Sequence, residues 1–247
     1  EAAKERTIGS NMTNELQNLL RKKTYDFSLS NDVLKETIDS ITQKRQNKKL
    51  GMCEDEEIVA IRSVEKKRID FRDKLVLAPL TTVGNLPFRR ICKEYGADIT
   101  VGEMACSLPL VNASYSEWAL TKRHKSEDMF GVQIEGNNAK IISYAAQLLK
   151  ENADVDFVDL NLGCPIDLIF KQGGGSALLR RENVLEQIIT TCSRVLGDKP
   201  FTVKTRMGIY MNKPVAKDLL PKFEKWGASA VTLHGRSREQ RYTKSAN

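Results

Sequence analysis

Cys164 stands where a reactive thiol would stand. The run Asp159-Leu160-Asn161-Leu162-Gly163-Cys164-Pro165 carries an apolar strand pattern into a cysteine that the following proline holds in a turn. Pro165 fixes its own φ and biases Cys164 away from helix, while Gly163 lets the backbone bend or come close to a ligand. The C-terminal end of a strand is where α/β proteins place their chemistry. A thiol there can donate a proton or, beside a cation or a helix N-terminus, act as a nucleophile. The same run also fits a buried structural cysteine, because free Cys is among the most buried residue types.

Other polar residues share this placement at strand ends. Lys204 interrupts an apolar strand. An unpaired ammonium is costly to bury, so it either meets a partner or reaches solvent on a buried stem. Gln133 can both donate and accept, toward a ligand or toward neighbouring backbone. Asn161 can bond a carbonyl and an N–H of a base, or brace the Cys164 loop. His234, at a strand tip beside Gly235, is by residue type as well suited to packing as to binding. Gly173-Gly174-Gly175 lacks the Gly-Lys-Ser/Thr frame of a phosphate loop and is expected to form a mobile rim loop. His124, Trp118 and Trp226 are read as packing residues.

The elements that position these groups begin after Lys74, where a strand-then-helix rhythm takes over. Strands are expected at 75–80, 99–103, 130–135, 157–162, 201–206 and 230–234, with helices at 86–95, 114–122, 139–150, 183–196 and 215–226. Alternation of this kind means a parallel sheet with right-handed crossovers. Polar groups at nearly every strand end favour a barrel mouth over an open sheet with one crevice. The fold expected is therefore an α/β, (β/α)8 TIM-barrel type that is incomplete, with about six strands present. Residues 71–247 form this barrel, ending before strands seven and eight, and residues 1–70 form a polar N-terminal extension with short helices. Residues 1–30 are expected to be mostly disordered or weakly helical, 32–46 a short amphipathic helix, and 54–67 a solvated helix or loop.

Composition narrows the class. With 247 residues and 40% hydrophobic content the chain can bury a substantial core. The net charge of +7 fits an anionic partner such as nucleic acid, and it is not gathered in a basic tail. The five cysteines, Cys53, Cys92, Cys106, Cys164 and Cys192, are scattered and contain no C-x-x-C pair. With only two histidines beside them, no disulfide framework and no metal site is expected. No apolar run approaches the roughly 20 residues that cross a bilayer, and no leader is evident, so an intracellular protein is expected.

Ala78-Pro79-Leu80-Thr81, Gly131-Val132-Gln133, Asn161-Leu162-Gly163-Cys164-Pro165, Val203-Lys204-Thr205-Arg206 and Leu233-His234-Gly235-Arg236 stand in one order at barrel spacing. Together they resemble the dihydrouridine synthases, FMN-dependent enzymes that reduce uridine in tRNA. The run Cys164-Pro165-Ile166-Asp167-Leu168, with the three glycines and residues 236–242, resembles the eukaryotic branch that acts on the variable loop. That branch carries Cys/His zinc fingers ahead of its barrel, and no such cluster occurs in this sequence.

The resemblance implies FMN as cofactor and NADPH as reductant. It places Pro79, Leu80, Thr81, Gln133, Lys204 and His234 at the flavin, and Asn161 and Arg206 at the RNA substrate. Arg236, Arg238 and Arg241 become further phosphate contacts, whose binding would weaken with salt. Cys164 becomes the acid that protonates C5 of uracil as hydride reaches C6, a task suited to a thiol whose reference pKa is about 8.5. The uridine must be flipped out of its stack to reach the mouth. The implied partner is tRNA, with mRNA open as a second RNA substrate, and the implied location is the cytoplasm, with the nucleus as a second compartment. Two rival readings are an FMN barrel acting on free pyrimidines and a non-catalytic RNA-binding fragment.

Overall fold

The computed structural model describes residues 11–50, 69–243 and 245–246. Among these, the strands are β1 (Val76–Leu77), β2 (Ile99–Val101), β3 (Ala105–Cys106), β4 (Met129–Glu135), β5 (Phe157–Leu162), β6 (Phe201–Arg206) and β7 (Ala230–His234). All pair in parallel in the order β1-β2-β4-β5-β6-β7, with β3 pairing only to β4. The helices are α1 (Asn14–Arg21), α2 (Ser28–Lys49), α3 (Leu86–Glu94), α4 (Ser107–Val111), α5 (Tyr115–Ala119), α6 (Ala139–Asn152), α7 (Asp167–Lys171), α8 (Glu182–Leu196) and α9 (Ala216–Lys225), with a 3-10 turn at Gly175–Arg180. This is the incomplete (β/α)8 barrel the strand rhythm predicts.

Residues two apart on a strand share a face, and here the two faces bury different things. Val158, Leu160 and Leu162 of β5 pack in one cluster with Ile142, Ala146 and Leu149 of α6 and with Ile188 and Cys192 of α8. Fully burying each such aliphatic side chain stabilises the fold by about 1.5–3 kcal/mol. Phe157 points the other way and joins Ile99 and Val101, against Ile69 and Phe71. Gly131 is required beside it, because a Cβ there would run into the Phe157 ring.

Strand and helix starts follow local chemistry. Asn138 caps α6 by accepting from the Lys140 N–H at 2.9 Å, and Asn85 caps α3 by accepting from the Phe88 N–H at 3.1 Å. A buried ion pair fastens α3 to the barrel: Arg89 Nε donates to Glu127 Oε1 at 2.7 Å, and Thr100 Oγ1 donates to the same oxygen at 2.6 Å.

The N-terminal expectation needs correction. Of the two expectations for residues 1–30, the helical one holds over the described part, where α1 is capped by Thr13 and buries Leu16 and Leu20. Helix α2 exceeds the expected 32–46 and lies on α6 and α8. Of the expected stripe Val33, Leu34, Thr37, Ile38 and Ile41, Thr37 and Ile41 are buried and Leu34 packs against the core, whereas Ile38 is exposed and Ser30 is buried in addition. Ser30 explains the difference, because its Oγ donates to Gln147 Oε1 at 2.7 Å. The same hydroxyl lies 3.1 Å from the Ser143 carbonyl, so a polar contact joins α2 to α6. Residues 1–10 and 51–68, to which the rest of the expected disorder, helix and loop belongs, lie outside the described residues.

Candidate active site

The β4, β5 and β6 registers bring the predicted groups to one wall. Gln133 pairs with Asp159, Asp159 with Thr202, Asn161 with Lys204, and Arg206 with His234. Of these, Asp159, Thr202 and Lys204 line a cavity of about 320 Å³ together with Ala78, Pro79 and Val101, whereas Gln133, Asn161, Arg206 and His234 do not.

Cys164 is held from three sides. Its N–H donates to Asn161 Oδ1 at 2.8 Å, and the Gly163 N–H donates to the same oxygen at 3.1 Å. Its carbonyl accepts from Ser176 Oγ at 2.9 Å. Arg206 Nε reaches the preceding carbonyl, that of Gly163, at 2.7 Å. The residue is only 6% exposed, covered by the segment that carries Ile169 and Gly175, and it does not line the cavity. Its surroundings are polar all the same. Burial raises the thiol pKa and the Glu135 carboxylate adds to the rise, while the Ile166 N–H, Arg206 and Arg238 oppose it. The thiol therefore stays protonated at neutral pH, the state of a proton donor rather than of a nucleophile.

Lys204 and Asp159 share the cavity wall. Burial raises the Asp159 carboxyl to about 6, against hydrogen bonds from Gln133 and Thr202 and the charge of Lys204. Burial lowers the Lys204 ammonium, and Asp159 counters it. Each charge is thus supported by the other. His234 is held below the usual imidazole range by burial and by Arg206, Lys204 and Arg236, which leaves it neutral at pH 7.

Several predicted residues are placed differently from expectation. Arg206 does not wait at the mouth for phosphate. It is 6% exposed and donates to the carbonyls of Gly163 and Ser237 and to the Tyr242 hydroxyl. A guanidinium with its donors turned inward braces the Cys164 loop. Both polar ends of Gln133 are engaged, Nε2 to Asp159 at 2.7 Å and Oε1 by Asn161 Nδ2 at 2.8 Å. Of the first strand's group, Pro79 lines the cavity, whereas Leu80 and Thr81 are exposed on the turn after it. Nor do the three glycines form a mobile rim. Gly174 and Gly175 are buried, and a Cβ on Gly174 would strike Glu135 Oε2. Trp118 and Trp226 pack as predicted, Trp118 with its indole N–H on the Leu110 carbonyl at 3.0 Å. His124 bonds Ser126 through Nδ1 at 2.8 Å.

The profile of the family described as "Dihydrouridine synthase (Dus)" matches residues 76–247. The chain belongs to the dihydrouridine synthase family. It is 54% identical over 223 residues to the tRNA-dihydrouridine(47) synthase [NAD(P)(+)]-like protein of Xenopus laevis, covering 89% of this chain and 34% of that one. The human protein of the same name is 55% identical over 197 residues, 80% of this chain and 30% of its own. The tRNA-dihydrouridine(47) synthase [NAD(P)(+)] of Cryptococcus neoformans is 49% identical over 214 residues, 83% of this chain and 30% of its own. The chain thus spans about a third of the length of the relatives it matches.

Within this member of the dihydrouridine synthases, sequence reasoning passes over Asp159, Glu135 and Cys106. Glu135 lies in register with Cys106, and burial raises its carboxyl to about 7. Burial likewise pushes the Cys106 thiol up to about 12, with Glu117 and Glu135 adding to it. The signal available was the strand period of two: Gln133 and Glu135 share one face, as Asp159 and Asn161 share theirs. Among the described residues no three His, Cys, Asp or Glu side chains form a group fit to hold a metal ion, and no helix is long and apolar enough to cross a membrane.

Proposed function

We propose that this chain supplies the strands β1–β7 of a flavin-dependent tRNA-dihydrouridine synthase, which reduces uridine to 5,6-dihydrouridine at the position 47 that its relatives' names give. The observation that carries the reading is the adjacency of a protonated thiol and a half-buried ammonium at neighbouring strand ends, Asn161 of the Cys164 loop being the register partner of Lys204. An electron-rich planar ring fits that place, because Lys204 offers a positive charge beside the apolar wall of Ala78 and Pro79.

FMN bound there and reduced by NADPH would supply the hydride to C6 of uracil. The protein's own part is positional and acid–base. Pro79 and Lys204 would hold the ring, and neutral His234 offers a nitrogen at the end of the next strand. Cys164 holds the proton that C5 receives, and its loop is fixed by Asn161, Ser176 and Arg206. Because the thiol is covered, a base flipped into the mouth must displace the segment over it.

The test uses the full-length protein and tRNA lacking dihydrouridine. Cys164→Ala is expected to keep its flavin absorbance and lose dihydrouridine formation by about 100-fold or more. Parental activity in that variant defeats the assignment. Turnover of free uracil in place of tRNA would favour a free-pyrimidine reductase, and a flavin-free protein that still shifts tRNA would favour a binding role.

A further inference from the structure

We infer that Asp159 is a positioning residue for Cys164, because its carboxylate fixes the sense of a hydrogen-bond chain that ends on the Cys164 amide. The inference rests on the function proposed above and names a part of its machinery.

The chain is continuous. Thr202 Oγ1 donates to Asp159 Oδ1 at 2.6 Å, and Gln133 Nε2 donates to Asp159 Oδ2 at 2.7 Å. Gln133 Oε1 accepts from Asn161 Nδ2 at 2.8 Å, and Asn161 Oδ1 accepts from the N–H groups of Gly163 and Cys164. Register makes this unavoidable: Gln133 and Thr202 flank Asp159 as its partners on β4 and β6, and Asn161 follows two residues on, on the same face.

A primary amide has nearly the same shape either way round, so only its partners decide which end points where. An ionised carboxylate can only accept. It therefore claims the nitrogen of Gln133 and turns the oxygen toward Asn161. That oxygen claims the nitrogen of Asn161, which leaves the Asn161 oxygen for the loop. At the far end, two backbone N–H groups can only donate. Both ends demand the same sense, and the two intervening amides are locked. Asp159 is 4% exposed, and each of its carboxylate oxygens already accepts from a protein donor.

The experiment uses full-length protein in two forms, flavin-free and flavin-loaded. Asp159→Asn replaces the acceptor with an amide that satisfies Gln133 either way round. Asn161→Asp sets two carboxylates on one Gln133 amide. Combining the two substitutions restores a consistent chain with Gln133 reversed. The amide now at position 159 donates to Gln133, and Gln133 donates to the carboxylate now at position 161, which still accepts from the loop. In flavin-free protein, amide exchange at Gly163 and Cys164 is expected to rise about tenfold in Asp159→Asn, where the sense of the chain is no longer fixed, and to return to within about threefold in the double, tenfold being the equivalent of one hydrogen bond.

In loaded enzyme, assayed at matched flavin content because Asp159 also lines the cavity beside Lys204, Asp159→Asn is expected to slow oxidation by tRNA about tenfold and by more than it slows reduction by NADPH. A double variant no better protected than the worse single one overturns the inference, as does parental exchange and tRNA oxidation in Asp159→Asn. If Asp159→Asn does not fold, the double variant, which keeps one carboxylate in the chain, carries the test. Cys164→Ala separates the two levels: activity there defeats the proposed function, whereas an inactive Cys164→Ala beside a normal Asp159→Asn defeats only the positioning role.

Discussion

Arg206 on β6 donates to the carbonyl of Gly163 on the neighbouring strand's loop at 2.7 Å, and its Cγ lies 3.4 Å from where a Gly163 Cβ would stand. The close approach that Gly163 permits is thus filled by an arginine of the protein. Arg206→Ala leaves the carbonyls of Gly163 and Ser237 without these donors, at about 1.5–3 kcal/mol for a hydrogen bond to a charged group. The expected result is a lower melting temperature and slower uridine reduction. The salt slope of tRNA binding should not change, whereas loss of a true phosphate contact reduces it by about 1.

That arginine also marks what a sequence can and cannot disclose. Strands 157–162, 201–206 and 230–234 are legible to the residue, because short segments of β-branched and other apolar residues recurring at a period of about two stand between turn signals. The edge strand β1 is two residues long rather than the expected 75–80, since Pro79 has no N–H to give a ladder. Elements α4, α7 and β3 are too short to display any period. The site residues are legible as types at strand ends. Their partners are not, because Arg206 finds Gly163 and Gln133 finds Asp159 only through register between distant strands.

Gly175 sits at φ +54 in the segment wrapped over Cys164. An added Cβ would stand 2.9 Å from the Cys164 Cβ and 3.2 Å from Ile169 Cγ2. Gly175→Ala combines an unfavourable backbone with that contact, for a loss of about 1–3 kcal/mol. Denaturant unfolding should record it, and uridine reduction should fall more than flavin affinity, because the displaced group is the acid.

The Arg89–Glu127 pair does not line the cavity, and both side chains are almost fully buried. Arg89→Met strands the Glu127 carboxylate and should cost about 3–5 kcal/mol. Adding Glu127→Gln should recover part of it, because the uncompensated charge is gone. Activity per folded molecule should stay at the parental level in both, which chemical denaturation followed by assay of the folded fraction would check.

Glu135 gives the fold a pH dependence of definite sign. Burial raises its carboxyl from 4.5 to about 7, so the folded state binds the proton more tightly than the unfolded chain. The associated stability is fully present below about pH 4.5 and is lost as pH rises through about 7. Glu135→Gln removes a group that must ionise while buried. Relative to the parent it should gain about 2 kcal/mol at pH 8 and nothing at pH 4. The same carboxylate raises the Cys164 thiol, so its removal should speed alkylation of Cys164 at pH 8. Parallel stability–pH curves for parent and variant would sink this account, because they would mean that the Glu135 carboxyl titrates alike in the folded and unfolded states.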